Sequence, residues 1–394
     1  MKYNFTTFQD RRNTGSAKYE LMKQLNPNVS DDIVPLNIAD MEFNVAPEII
    51  DGLKEYIDES ILGYQIPTEE YKTSIVNWFK KRYKVNIMQE WINPSPSVVS
   101  GYLVGLKTLT EPGDGVIVMP PVYGHFFYDI ENQDRIVVEC NLIVEDMKHR
   151  IDFEKFEKLA KDKNNKVLLF CNPQNPGGRV WTREELEKLS QICIRNNLYI
   201  ISDEIHADFI RPGYEFTSFL GISEETNIRL IVSHAPNKTF NIAGLKAGNT
   251  IIPNQDIREK FVEVATKAQL IGTNSLALKA TELAYTKSKS WLDELLEVID
   301  ENINYTIDYI IKEIPEIKIY IPEGTYLLYM DMSGLGMTNE KLMEFLYNKA
   351  EIFVNSGEFF HEKRSCHIRM NLACPKEELK ISLERLKREI QERY

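Results

Sequence analysis

The chain has 394 residues, 43% of them hydrophobic and 27% charged, with a formal net charge of −12. That length holds a large domain plus a smaller one with ample core, while the acidic balance, with no basic run to offset it, excludes nucleic acid and anionic membrane as expected partners. No apolar run reaches spanning length and the opening Met1 to Thr6 lacks the apolar stretch of a signal peptide, so the expected location is the cytoplasm. Five scattered cysteines (Cys140, Cys171, Cys193, Cys366, Cys374) contain no C-x-x-C pair and read as reduced thiols. The six histidines show no metal-ligand spacing.

The first forty-odd residues are irregular, with a short amphipathic piece from Lys18 to Leu25. Val34 to Phe43 reads as a short strand running into a loop. Ala46-Pro47-Glu48 starts a helix with proline in its first turn and an apolar face of Ile49, Ile50, Leu53 and Ile57, closed by Gly63-Tyr64. A second helix, Thr68 to Tyr83, carries Tyr71, Ile75, Trp78 and Phe79 at helical spacing, which reads as core packing. Ser97 to Ser100 leads into a helix over Tyr102 to Leu109, ended by Glu111-Pro112-Gly113-Asp114.

From there the chain alternates. Strands are predicted over Gly115–Met119, Arg135–Cys140, Lys166–Cys171, Leu198–Ser202, Ile228–Ser233 and Asn249–Ile252, with helices over Asp152–Lys161 and Thr182–Asn196. Near-continuous apolar strands in a βαβα rhythm indicate an α/β fold with a mostly parallel sheet covered on both faces. Thr182 followed by Glu185 is a capping-box pattern. From about Trp291 a long amphipathic helix leads into Lys318–Tyr320, Thr325–Met330, a helix over Asn339–Ala350, a strand at His367–Asn371 and a charged helix over Pro375–Arg393, which together read as a smaller α+β domain.

Ligands of such sheets sit beyond the carboxyl ends of the strands, and four loops there carry chemistry. After Leu230-Ile231-Val232 comes Ser233-His234-Ala235-Pro236-Asn237-Lys238. A lysine held at a buried strand end loses hydration, which lowers its pKa and frees an amine able to form a Schiff base; taken alone, a loop lysine is most often a solvated one. Ser97-Val98-Val99-Ser100 offers helix N-terminal amides to a phosphate ester, or is a plain serine cap. Tyr123 follows one strand and can stack on an aromatic ring, and Asp203 ends another, where it pairs with a ring nitrogen or caps a helix. Asn175 lies in Asn172-Pro173-Gln174-Asn175-Pro176, two Asn-Pro steps that favour an extended loop. Arg369, flanked by apolar residues, suits a substrate carboxylate or a buried ion pair.

In this order these segments resemble the pyridoxal phosphate enzymes of fold type I, the aspartate aminotransferase superfamily of class I/II. Within it the chain is most similar to the carbon-sulfur lyase group of cystalysin and the cystathionine β-lyase-like enzymes. The resemblance rests on Val34–Phe43, Gly63-Tyr64, Glu111–Val116, Pro121-Val122-Tyr123, Asn175–Trp181, Ser202–His206, Lys238–Leu245, Glu323–Tyr326 and Arg369–Ala373. It implies a seven-stranded, mostly parallel sheet sandwiched by helices, with a large cofactor domain at 46–286 and a small domain formed by 1–45 plus 287–394. It further implies pyridoxal 5'-phosphate on Lys238, with Tyr123 stacked on its ring, Asp203 at its nitrogen and Asn175 and His206 near its hydroxyl. Val98, Val99, Ser233 and Lys246 would stand around the phosphate, reached by Tyr64 of a neighbouring subunit in a homodimer. Arg369 would hold the carboxylate of a small amino-acid substrate, with Ile38, Ala39 and Asn175 beside it.

The implied activity is cleavage of L-cystathionine, cystine or S-substituted cysteine to pyruvate, ammonia and a thiol. An aminotransferase on the same scaffold is the first alternative, and a catalytically weak regulatory or binding homologue the second. Six positions differ from the usual residues: Asn237 for serine, Lys246 for the arginine of many relatives in the wider fold, Ser97 for glycine, Ser100 and Gly101 for proline and alanine, and Gly124 for a second large residue after Tyr123.

Overall fold

The structure is a computed structural model of the chain and describes residues 1–364 and 366–393. Its strands, in chain order, are β1 (Ile92–Ser95), β2 (Gly115–Val118), β3 (Ile136–Glu139), β4 (Ile143–Glu145), β5 (Lys148–Arg150), β6 (Asn165–Cys171), β7 (Tyr199–Asp203), β8 (Leu230–His234), β9 (Gly248–Ile251), β10 (Lys318–Tyr320), β11 (Leu327–Asp331), β12 (Asn355–Ser356) and β13 (His367–Asn371). Seven of them form one sheet in the order β1-β9-β8-β7-β6-β2-β3. Only β9 runs against the rest, pairing antiparallel with β8 and β1; β8, β7, β6, β2 and β3 are mutually parallel. The central strands are buried along their whole length, as Val167 to Cys171 and Ile200 to Asp203 show, which is why they carry apolar runs and no alternation.

A second sheet, β10-β11-β13-β12, is wholly antiparallel and is backed by the Lys289–Glu313 and Lys376–Gln391 helices. Along β13 the period of two sets Ile368 and Met370, both in the apolar core, apart from His367, Arg369 and Asn371, and so presents Arg369 to the large sheet. Glu323 fastens the two parts. It accepts from Arg179 Nε and from the Val180 amide, both at 2.9 Å, while Arg179 also donates to Glu185 at 2.9 Å. Glu185 in turn completes the predicted capping box with Thr182.

Several expectations need correction. Val34–Phe43 is extended chain and turn, with no strand. Pro35 lacks an amide, and the segment makes isolated bonds in place of a ladder, among them Leu36 N to Phe353 O and Asn371 N to Leu36 O, both 2.8 Å, and Glu42 N to Ala373 O at 2.9 Å. The Thr68–Tyr83 helix is α-helical over Glu69–Trp78 and then a π-turn over Phe79–Tyr83; the wider turn brings Arg82 Nε to Asp208 at 2.6 Å and Tyr83 OH to the same carboxylate at 2.8 Å. The Tyr102–Leu109 helix begins earlier, at Val98. Strand β1, the β4–β5 hairpin and the helices His125–Glu131, Gln255–Lys267 and Ser275–Lys287 complete the fold beyond what the residue pattern indicates. Both Asn-Pro steps of the Asn172–Pro176 loop are cis.

Candidate active site

The ends of β2, β6, β7 and β8 and the start of the Val98–Leu109 helix surround a cavity of about 380 Å³, closed from the small-sheet side by Asn355, Phe359 and Arg369. Lys238 enters it from the short helical turn Pro236–Thr239 that follows β8. Its Nζ donates to the Ala39 carbonyl. Burial pulls the amine down to about 8; Arg369 pulls the same way, and Asp40 and Asp203 act against them.

Asp203, the last residue of β7, is 5% exposed and its Oδ1 accepts from the Ile205 amide at 3.1 Å. No cation forms an ion pair with it among the described residues, and burial pushes its carboxyl up to about 7. His206, three residues on, is buried with Nδ1 unpartnered, and desolvation holds it neutral, down to about 3. Tyr123 forms part of the wall after β2, half-buried, with its phenol raised to about 12 by burial.

Arg369 is 3% exposed, and no carboxylate meets it among the described residues. Nη1 donates to Asn175 Oδ1 at 3.0 Å, while Nη2 donates to the Asn37 carbonyl at 2.9 Å and to Asn355 Oδ1 at 2.8 Å. The guanidinium lies 4.8 Å over the Phe360 ring and Nε has no partner. Of the two roles open to it from sequence, a buried ion pair is absent. What remains is a desolvated cation, its pKa lowered to about 10 by burial, facing the cavity.

At the other end, Ser97 and Ser100 bond each other reciprocally, Ser100 N to Ser97 Oγ at 3.0 Å and Ser97 N to Ser100 Oγ at 2.8 Å. The serine cap and the anion-binding turn are therefore compatible. The serines satisfy their own amides, while Val98 and Val99, first in the helix with no intrahelical acceptor for their N–H groups, line the cavity.

The Asn37–Phe43 turn supplies Ile38 and Ala39 to the wall. It is clamped by amides from the two motifs that carry charge. Asn371 Nδ2 donates to Ile38 O at 2.8 Å and Asp40 O at 2.9 Å, and Asn241 Nδ2 donates to Met41 O at 3.0 Å and Phe43 O at 2.8 Å. Beneath it Lys18 is buried against Glu42 at 2.8 Å, and Arg11 reaches the same carboxylate at 2.6 Å. The Ala39 carbonyl thus stands fixed between Lys238 and Tyr326, whose hydroxyl donates to it at 3.1 Å.

Ten of the anticipated residues share this one cavity: Ile38, Ala39, Val98, Val99, Tyr123, Asn175, Asp203, His206, Lys238 and Arg369. Three stand apart from it. Ser233 Oγ is buried without a partner, facing Gly101, where an added Cβ would lie 3.2 Å from it and 2.4 Å from Thr250 Oγ1. Lys246 sits exposed at a left-handed turn, φ 56°. Tyr64 is wholly exposed in the stretch between the first two long helices. Residues not anticipated include His125, Asn355 and Phe359 of the wall and the clamping amides of Asn241 and Asn371. The two asparagines lie in segments already singled out, so an unpaired-amide reading of those segments would have found them; Asn355 and Phe359 fall where no motif pointed.

The sequence profile of the aminotransferase class I and II family matches residues 31–386. The chain is 34% identical over 384 residues to cystathionine beta-lyase PatB of Bacillus subtilis, covering 98% of this chain and 99% of that protein. Among solved structures, cystalysin from Treponema denticola, which contains a pyridoxal 5'-phosphate cofactor, superposes with a TM-score of 0.98 at 44% identity over the whole of both chains. The pyridoxal phosphate-bound C-S lyase of Staphylococcus hominis superposes with a TM-score of 0.90 at 31% identity, covering 99% of this chain and 98% of that one. A profile match spanning both sheets, with these likenesses from end to end, shows that the chain belongs to the aminotransferase class I and II family.

Proposed function

We propose that this protein is a pyridoxal phosphate-dependent carbon-sulfur β-lyase. The substrate is an S-substituted cysteine, such as L-cystathionine or cystine; with one water it yields pyruvate, an ammonium ion and the free thiol, or from cystine the corresponding persulfide. The observation that carries this reading is that Lys238, Asp203 and Arg369 converge on one cavity and that among the described residues their side chains meet backbone groups and amides there and no ion-pair partner. The residues present fit the cofactor. A carboxyl raised to about 7 by burial calls for a positive group opposite, as a protonated ring nitrogen provides. The free amides of Val98 and Val99 suit a phosphate, His206 and Asn175 suit a ring hydroxyl, and Tyr123 suits the ring face. When bound, the cofactor supplies the electron sink that makes the Cα–H bond of the substrate acidic.

The chain's own residues do the rest. Arg369 binds the substrate carboxylate through its guanidinium, held in plane by Asn175, Asn37 and Asn355. Lys238 carries the cofactor covalently and, as a free amine, accepts the α-proton at Nζ; its depressed pKa keeps much of it neutral near pH 8. The same amine then donates a proton to the departing sulfur. Ala39 O accepts from that Nζ and is itself held by Tyr326 OH, which fixes where the amine sits in the cavity.

The site is read as belonging to a homodimer, in which Tyr64 reaches the phosphate of the neighbouring subunit, and Ser233 and Lys246 support the phosphate turn from outside the cavity. Ile61, Leu62, Tyr64 and Ile66 are 91%, 57%, 111% and 82% exposed within six residues, an apolar run that a second subunit would cover. The division into a large domain, 46–286, and a small domain of 1–45 plus 287–394 belongs to the same reading. So does a cytoplasmic location; among the described residues no helix is long and apolar enough to cross a membrane.

The aminotransferase alternative draws support from the family itself, since Lys238 and Arg369 serve either reaction. Incubation with L-cystathionine, with and without 2-oxoglutarate, separates them. Pyruvate and thiol formed without the oxo acid support the lyase; amino-group transfer with no thiol release refutes it, and a cofactor-loaded protein inert in both assays is a binding homologue. Borohydride reduction followed by peptide mapping tests Lys238 as the point of attachment.

A further inference from the structure

Three charged side chains line the cavity among the described residues, Asp203, Lys238 and Arg369. On the lyase reading, on which this inference rests, each is committed: Asp203 to the cofactor ring, Lys238 to attachment and proton transfer, Arg369 to the α-carboxylate. None of this chain's charged groups remains for a charge at the far end of the substrate side chain, and the run that the dimer reading brings to the site, Ile61 to Ile66, carries no charged residue either. The rest of the lining includes Ile38, Ala39 and Asn175, already placed, and a further group of four, Tyr123, His125, Asn355 and Phe359.

Three of these four are aromatic rings in mutual contact. His125 lies 5.1 Å from Tyr123 and 5.7 Å from Phe359, edge-on to the latter, and Phe359 stands edge-on to Tyr123 at 6.3 Å. Two chain segments build this surface, the start of the His125–Glu131 helix and the turn Gly357–Phe360, and they meet backbone to backbone at Gly124. A Cβ on Gly124 would sit 1.8 Å from the Phe359 carbonyl oxygen, so no side chain fits there without moving the turn away. Val122 N donates to Phe360 O at 3.0 Å, and the Phe127 and His361 rings stack beside it. The wall is thus pinned in place, with the Phe359 ring at the mouth.

We propose that Tyr123, His125 and Phe359 form the subsite for the sulfur substituent, and that this subsite selects S-alkyl- and S-aryl-L-cysteines, which release a neutral thiol, over cystathionine and cystine. An apolar or aromatic substituent gains contact and ring-ring packing against this wall. The second ammonium and carboxylate of cystathionine or cystine finds no ionic partner there, and it sheds part of its hydration at the mouth without compensation. The bond broken is Cβ–S in every case; the sulfur keeps the electron pair and takes one proton, so only the chemistry of the leaving thiol differs. The expected discrimination is on the order of tenfold in kcat/KM, the scale set by one apolar group in a pocket wall.

The test measures pyruvate release by the purified holoenzyme from S-benzyl-L-cysteine, S-ethyl-L-cysteine, L-cystathionine and L-cystine. Calorimetric titration with two amine-free probes, benzylthioacetate and thiodiacetate, reads the same preference as binding, without turnover. The proposal holds if the benzyl and ethyl substrates lead by about tenfold or more, benzylthioacetate binds more tightly, Phe359→Ala erodes that lead, and Phe359→Arg moves the preference toward cystathionine. It is overturned, with the lyase reading intact, if cystathionine matches S-benzyl-L-cysteine in kcat/KM or if Phe359→Ala lowers all four substrates alike. Absence of pyruvate from all four overturns the lyase reading and this inference together.

Discussion

Replacing Asp203 by asparagine should stabilise the cofactor-free chain and cripple the loaded enzyme. The carboxyl ends β7 in the interior with one backbone donor, the Ile205 amide at 3.1 Å, and burial raises it from its usual 3.8 to about 7. Between those two pH values the unfolded chain has lost this proton while the folded chain still holds it, so stability falls as pH rises and then stays low above about 7. At about 1.4 kcal/mol per pH unit the cost is about 2 kcal/mol at pH 5 and about 4 kcal/mol at pH 8. Asparagine keeps the shape and the acceptor oxygen without the charge. Urea melts of the cofactor-free Asp203→Asn chain should therefore lie above those of the parent, by about 2 kcal/mol at pH 5 and by up to about 4 kcal/mol at pH 8. In the loaded enzyme the sign reverses. The ring nitrogen loses its counter-charge, and the loss of one partner from a buried pair costs about 3–5 kcal/mol, which should appear as a drop in turnover of a hundredfold or more. A variant no more stable than the parent at pH 8, or one whose advantage is the same at pH 5, would refute the reasoning that Asp203 is a desolvated carboxylate waiting for a cation.

The amine of Lys238 should govern covalent loading. With its pKa drawn to about 8, the rate at which the cofactor-free chain captures pyridoxal phosphate, followed by absorbance, should climb as pH rises toward 8 and flatten above it; a rate still climbing steeply beyond pH 9 would contradict this. Arg369→Lys keeps the charge but not the fork held by Asn175, Asn37 and Asn355. Steady-state kinetics should show KM for the amino acid up by about 10- to 100-fold, with kcat changed far less. Asn241→Ala removes three hydrogen bonds to the Met41–Phe43 turn. It should cost about 2–3 kcal/mol in a urea melt and speed amide exchange over residues 38–43, and protection there equal to the parent's would count against the clamp. Thr182→Ala opens the capping box with Glu185 and should cost about 1 kcal/mol, with kinetics unchanged.

What the sequence discloses divides by range. Groups whose chemistry depends on a strand ending are visible, because an apolar run followed by Asn, Pro or Asp marks both the strand and its rim; Lys238, Asp203, Asn175 and Tyr123 are all of this kind, and all four line one cavity. Arg369 is visible for a related reason, as a cation inside an alternating apolar strand. Its role was not visible, since an ion pair and an unpaired cation look identical in sequence and only the absence of a carboxylate around it separates them. Elements without periodic contrast escape for the opposite reason. The Ser275–Lys287 helix is buried at Ala277, Leu278, Ala280, Thr281, Leu283 and Ala284, most of its circumference, and so shows no clean stripe. β1 carries Asn93 and Pro94 in a four-residue strand whose only mate is β9, more than 150 residues along the chain. The wall of the cavity is hardest of all to foresee, because Gly124 is informative only through what presses on it. A glycine after Tyr123 reads locally as a missing side chain, whereas in the fold it is the gap that admits the Phe359 carbonyl and, with it, the ring that faces the sulfur substituent on our reading. Gly124→Ala should therefore act at a distance from its own methyl group. It should push the Gly357–Phe360 turn outward and weaken selection among substituents while leaving Lys238 free to load; a variant with the parent's substrate ranking would show that the turn takes up the methyl without moving Phe359.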